Sequence, residues 1–167
     1  MDKRALLTAV IYELESKVTT LVSAMEQTVD AATNEETVPE HKYDTLALEA
    51  SYLAHGQAMR LEQIKDDIAT LKRTTLREFS EQDSVGLTAL VCVENDDEQI
   101  AWYWMLPCGG GVTIKDARVL TNSGLAELTV LTPHSPLGKA LLGQYEDDEV
   151  SLAIRDSVQH YAIISIQ

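Results

Sequence analysis

Apolar positions in the first part of the chain recur at alternating three- and four-residue steps: Leu7, Val10 or Ile11, Leu14, Val18, Leu21, Met25, Thr28 and Ala32. That spacing holds one seam on one side of a helix, and no Gly or Pro interrupts it. The rhythm returns with Ala47, Ala50, Ala54, Gln57, Leu61, Ile64, Ile68 and Leu71. Small residues at the start of this second set would let two helices approach closely. Pro39 lies between the sets, where it forbids continuation of the first helix and biases Val38 to an extended shape. The pattern predicts an antiparallel coiled-coil hairpin over residues 1–80 that turns at an apex of about 34–44. An arm of about 30 helical residues is roughly 45 Å long, so the apex projects well beyond any small domain at the base. The apex carries Glu35, Glu36, Glu40 and Asp44. Glu40 and Asp44 share a helix face if the second helix starts directly after Pro39.

The period changes after residue 80, and short apolar or alternating runs separated by turn residues follow. They mark a second domain over residues 84–167. Strands are predicted at 87–93, 99–106, 112–114, 127–131, 149–154 and 161–166, condensing to about five strands in a mixed α+β domain. The polar run Glu94 to Glu98 makes a hairpin turn between the first two. In the second, Trp102 and Trp104 take one face and Tyr103 the other. One short helix is predicted at 136–142, with Ser135 as cap, Pro136 in the first turn and Gly143 as terminator.

Composition narrows the function. Across 167 residues, 13 Lys and Arg stand against 27 Asp and Glu. The excess is shared, with 9 basic and 16 acidic side chains in residues 1–83 and 4 and 11 in the remainder. Neither part offers the basic stripe that neutralises phosphates, so independent DNA or RNA binding is not expected. No apolar run approaches the roughly 18 residues of a membrane span, and the N-terminus has no secretory pattern. A cytoplasmic protein is expected.

Cys92 and Cys108 lie in apolar surroundings without metal-ligand spacing and read as small buried hydrophobes. His41, His55, His134 and His160 share no metal-ligand spacing. The run Gly109-Gly110-Gly111 lacks the Lys-Ser/Thr ending of a phosphate loop and predicts a tight turn. Ser135 has no nucleophile-elbow context, so no catalytic triad can be built around it. No cofactor of the protein's own is indicated, and it is not read as an enzyme.

The segment from Thr132 to Gly143, containing Ser135-Pro136-Leu137 and Leu141-Leu142-Gly143, resembles the C-terminal signature of the Gre family of transcription elongation factors. The stretches Gln63-Ile64-Lys65-Asp66 and His41-Lys42-Tyr43-Asp44-Thr45 are also similar to family sequence, the latter to a divergent branch. The resemblance covers nearly the whole chain. It implies an FKBP-like C-terminal domain behind the coiled coil, and bacterial RNA polymerase as partner. It further implies that the hairpin enters the polymerase secondary channel, where apex carboxylates help hold a Mg²⁺ ion in the polymerase's own active site. Ser135, Pro136 and Leu137 become candidate docking residues, and Glu40 with Asp44 candidate ligands of that shared ion. The family's cleavage factors carry an Asp and a Glu three apart followed by Asn-Ala, a motif this apex does not have. Three readings stay open: a factor that stimulates transcript cleavage, a non-cleaving inhibitor of polymerase, and a coiled-coil adaptor resembling the regulators of nucleoside diphosphate kinase. A monomer is expected, because an intramolecular hairpin satisfies both seams.

Overall fold

The computed structural model describes residues 1–33, 45–115, 120, 125–155 and 157–167. Helix α1 spans Lys3–Thr33 and α2 spans Thr45–Arg73. Asp2 caps α1, its Oδ1 accepting from the backbone N–H groups of Arg4 at 3.0 Å and Ala5 at 3.1 Å. Lys72 and Arg73 occupy the last turn of α2, where cations complement the helix dipole. The helices run antiparallel: Lys72 Nζ lies 2.9 Å from Glu15 Oε1, and Lys3 near the start of α1 reaches the carbonyl of Arg77 just beyond α2. The apex at 34–44 lies outside the described residues.

The predicted seam is filled near the base. Val10, Leu14, Ile64 and Leu71 are buried, and Leu7, Val18, Leu21 and Ile68 pack partly against them. Two features depart from a simple two-helix seam. Leu6 is fully buried although it lies off the predicted stripe, because α1 covers the sheet as well as α2. Ala54 is exposed, as are its neighbours from Tyr52 to Gly56, so this turn of α2 is not packed against its partner. Gln57 Oε1, at the next seam position, is buried without a hydrogen-bond partner among the described residues.

The helix also ends sooner than the hydrophobic pattern suggests. After Arg73 the chain leaves the helical path, and it carries Leu76 into the core beneath the helices and Phe79 into the core on the opposite side of the sheet. Residues 74–80 are therefore a strap, with tertiary burial outweighing helical continuation.

Among the described residues, the remaining chain forms one sheet of six strands where about five were expected: β1 Leu90–Asn95, β2 Ile100–Met105, β3 Thr113–Ile114, β4 Leu128–Leu131, β5 Glu149–Ile154 and β6 Ser157–Ile166. Their order is β3-β4-β2-β1-β6-β5. The pairing of β2 with β4 is parallel and every other pairing is antiparallel. With α3 at Pro136–Leu141, the architecture of the described residues is α+β: a helical hairpin region and a mixed sheet with a short helix.

Pleat alternation divides the sheet into two faces. Leu90, Trp104, Leu128 and Val130, with Trp102 at the edge, face α1 and α2. Val91, Val93, Met105, Ile163 and Ile166, with Tyr103, face α3 through Leu137 and Leu141. The expected split of Trp102 and Trp104 from Tyr103 is therefore present, and it separates two cores.

Strand β6 keeps this arrangement by means of a bulge. Cys92 pairs with Ser165 but Val93 with Ile163, leaving Ile164 as an extra residue. Without it, a one-residue slip would turn either Ile163 or Ile166 away from its core. Strand β6 also begins four residues before its predicted start, because Ser157 pairs with Ile154 across a turn where Arg155 has a φ of 54°. Residues 157–160 are all exposed, so backbone pairing alone places them in the strand.

Candidate functional site

Among the described residues, the Ser135-Pro136-Leu137 segment opens α3. Ser135 is its N-cap: Oγ accepts from the N–H of Gly138 at 3.1 Å and donates to the carbonyl of Thr132 at 2.8 Å. Pro136 stands at the first helical position and is exposed, while Leu137 is buried at 8% exposure in the core beneath α3. Of the docking candidates, Pro136 thus offers a free surface, Ser135 is half-buried with its hydroxyl engaged, and Leu137 holds the helix down. Gly143, at a φ of 84°, ends the segment, and its N–H donates to Val85 at 2.8 Å. Leu142 and Tyr145 remain exposed beside it.

A second cluster joins the helices to the sheet. The Lys3 ammonium donates to the carbonyl of Arg77 and lies 4.8 Å from the centre of the Phe79 ring; the Arg77 guanidinium sits 4.9 Å from the same ring. Burial pushes the Lys3 ammonium below the usual lysine range; Glu78 opposes that shift and Arg77 adds to it. The N–H of Arg77 donates to Thr88 Oγ1 at 3.0 Å. Thr88 donates its own N–H to Met105 at 2.7 Å, and its carbonyl accepts from the Trp104 indole at 3.1 Å. Thr88 holds a φ of 71° while nearly fully buried. A β-branched residue is strained in that region, and the surrounding bonds hold it there. One hydrogen-bonded path therefore runs from the start of α1 through the strap to the indole in the sheet core.

The glycine run sits where the helices meet the sheet. Gly109 and Gly111 have φ values of 76° and 80°, which glycine adopts without strain. A Cβ on Gly109 would lie 3.6 Å from both Leu14 Cδ1 of α1 and Leu71 Cδ1 of α2. The run is thus a tight turn, as expected, and it also seats the base of the hairpin.

No protein family model matches this chain, and no curated protein matches it. Among solved structures, the crystal structure of GreA factor homolog 1 of Thermus thermophilus is similar at 16% identity, covering 95% of each chain with a TM-score of 0.38. Gfh1 of Thermus aquaticus is similar at 17% identity, covering 96% of this chain and 95% of that one, with a TM-score of 0.40. The prokaryotic transcription elongation factor GreA/GreB from Nitrosomonas europaea is 16% identical over 62% of this chain and 78% of its own, with a TM-score of 0.38.

Four apex candidates, Glu35, Glu36, Glu40 and Asp44, lie outside the described residues. The path through Lys3, Arg77 and Thr88 had no motif to announce it: a lysine near a helix start and a threonine before a strand are unremarkable until the chain brings them together. No helix among the described residues is long and apolar enough to cross a membrane.

The cysteines provide a direct check on packing. Cys92 is buried; Cys108 is half-buried, with its thiol 3.4 Å from the carbonyl of Asp67. Burial, reinforced by Asp67, pushes the Cys108 thiol up to about 11, and burial with Glu94 also raises Cys92. Both stay protonated near pH 8, where an unfolded cysteine with a pKa of about 8.5 is partly thiolate. Thiol titration with a chromogenic disulfide at pH 8 should therefore be slow in the native protein and fast in denaturant. Equal rates in the two states would contradict this packing.

Proposed function

We propose that the protein binds bacterial RNA polymerase through the secondary channel and modulates transcript elongation. The observation that carries this reading is the combination of two antiparallel helices of 31 and 29 residues with a mixed sheet bearing the Ser135-Pro136-Leu137 helix start. Helices of this length are a reaching device, and the strap and glycine turn seat them on the sheet. In this reading residues 1–80 are the coiled-coil unit, 84–167 an FKBP-like unit at the channel rim, and Pro136 and Ser135 lie at the docking edge.

The protein acts on the polymerase active site as an accessory factor, working in the cytoplasm as a monomer and gripping no nucleic acid itself. Its acidity suits that role, since 27 acidic side chains against 13 basic ones disfavour a hold on phosphates. Glu35, Glu36, Glu40 and Asp44 are the acids to be delivered. Carboxylate oxygens are the hard ligands that Mg²⁺ takes, so Glu40 and Asp44 fit a share in the polymerase's ion, which would supply an activated water there.

The test is a backtracked elongation complex of bacterial RNA polymerase with labelled RNA, followed for binding and for 3′-end cleavage. Binding is expected, together with a change in cleavage or elongation that the fourfold variant Glu35→Ala, Glu36→Ala, Glu40→Ala, Asp44→Ala loses while it still binds. Faster cleavage identifies a cleavage factor, and slowed elongation without cleavage an inhibitor. Absence of binding removes the proposal, and an unchanged effect from the fourfold variant removes the role of the apex acids.

A further inference from the structure

A groove of about 310 Å³ opens between α1, α2 and the glycine turn, at the lower end of the roughly 300–1,000 Å³ typical of small-molecule sites. Its floor is apolar, formed by Leu14, Ile64 and Val112, all buried. Lys17 of α1 and Arg60 of α2 line it. In a chain this acidic, cations normally find carboxylates, and nearby they do: Lys65 pairs with Glu62 and Lys72 with Glu15, each at 2.9 Å. Lys17 and Arg60 make no ion pair or side-chain hydrogen bond with another described residue. Two cations on facing helices thus line one groove, and an anion bound there would give both a partner.

We propose that this groove binds a small phosphorylated ligand of mononucleotide size, its phosphate between Lys17 and Arg60. A bare anion does not satisfy the site, because Asp67 also lines it. One oxygen of Asp67 accepts from Gln63 Nε2 at 2.9 Å, and the other is in no hydrogen bond among the described residues. The fitting ligand therefore carries both an anion and hydroxyl or amine donors, as a nucleotide does. Met59, 63% exposed on the rim, presents a thioether that packs well against the face or edge of a planar ring. The test below uses the protein without polymerase, so its failure is distinguishable from failure of the proposed function.

Calorimetric titration of the full chain with guanosine monophosphate tests the proposal, with inorganic phosphate and guanosine as separate probes. Saturable nucleotide binding is expected, at least about tenfold tighter than either fragment. The double variant Lys17→Ala, Arg60→Ala should weaken nucleotide binding by about tenfold or more, while Lys65→Ala, Lys72→Ala leaves it unchanged. Asp67→Asn, which stays close in shape, should narrow the preference for nucleotide over inorganic phosphate and so reads the role of the carboxylate. No binding of the nucleotide, equal affinity for inorganic phosphate, or full affinity in the double variant would each overturn the proposal. Circular dichroism of each variant confirms that the helices persist.

Discussion

Gly138→Ala is expected to destabilise the protein by about 3 kcal/mol or more, among the larger effects a single methyl group can have. A Cβ at this position would lie 2.0 Å from the carbonyl oxygen of Thr132 and 2.7 Å from Ser135 Oγ. Neither atom can yield cheaply. The Thr132 carbonyl accepts from both the N–H and the hydroxyl of Ser135, at 3.0 and 2.8 Å, and that hydroxyl also caps Gly138. Moving the carbonyl dismantles the cap, and moving the helix lifts Leu137 and Leu141 from the core. The glycine of the Ser-Pro-Leu-Gly sequence is thus fixed by contact with the turn that precedes the helix. Gly56→Ala is the control, because nothing lies within 4 Å of a Cβ there and alanine favours a helix interior by up to about 1 kcal/mol. Denaturant unfolding of the two variants should move in opposite directions. Wild-type stability for Gly138→Ala would show that the turn is not held as described.

Trp104→Ala is the second large effect, at about 3–5 kcal/mol. The indole is fully buried on the sheet face that meets α1 and α2, and it donates to the carbonyl of Thr88. Its loss removes apolar contact, leaves a cavity, and strips a hydrogen bond from a strained residue whose other bonds position the strap. Trp104→Phe refills most of the volume without the donor, and should recover most but not all of the loss. Trp102→Ala should cost less, since that ring is only partly buried. Equal losses at the two tryptophans would mean that the core does not centre on Trp104.

Much of this architecture is legible in the chain because periodicity reports burial directly. A three-four repeat puts apolar side chains on one side of a helix, and alternation puts them on one side of a strand. Those rules located both long helices, the strand candidates and the opposite faces of Trp104 and Tyr103. Capping chemistry is equally local, so Ser135, Pro136 and Gly143 announced α3 and its ends. The rules failed where another part of the chain made the decision. Leu6 is buried because the sheet lies over α1, and residues 74–80 leave the helix to fill two cores. Ser157 to His160 join β6 through backbone pairing, which leaves no hydrophobic trace.

Both long helices, most strands and the acidity are legible along the chain, since each depends on neighbouring residues or on simple totals. The bulge at Ile164, the strained Thr88 joined to Lys3 through Arg77, the collision that requires Gly138, and the groove lined by Lys17, Arg60 and Asp67 arise only in the folded chain. Each of these depends on which surfaces come together when the chain folds, and a one-dimensional pattern carries no distance between residues that are far apart along it.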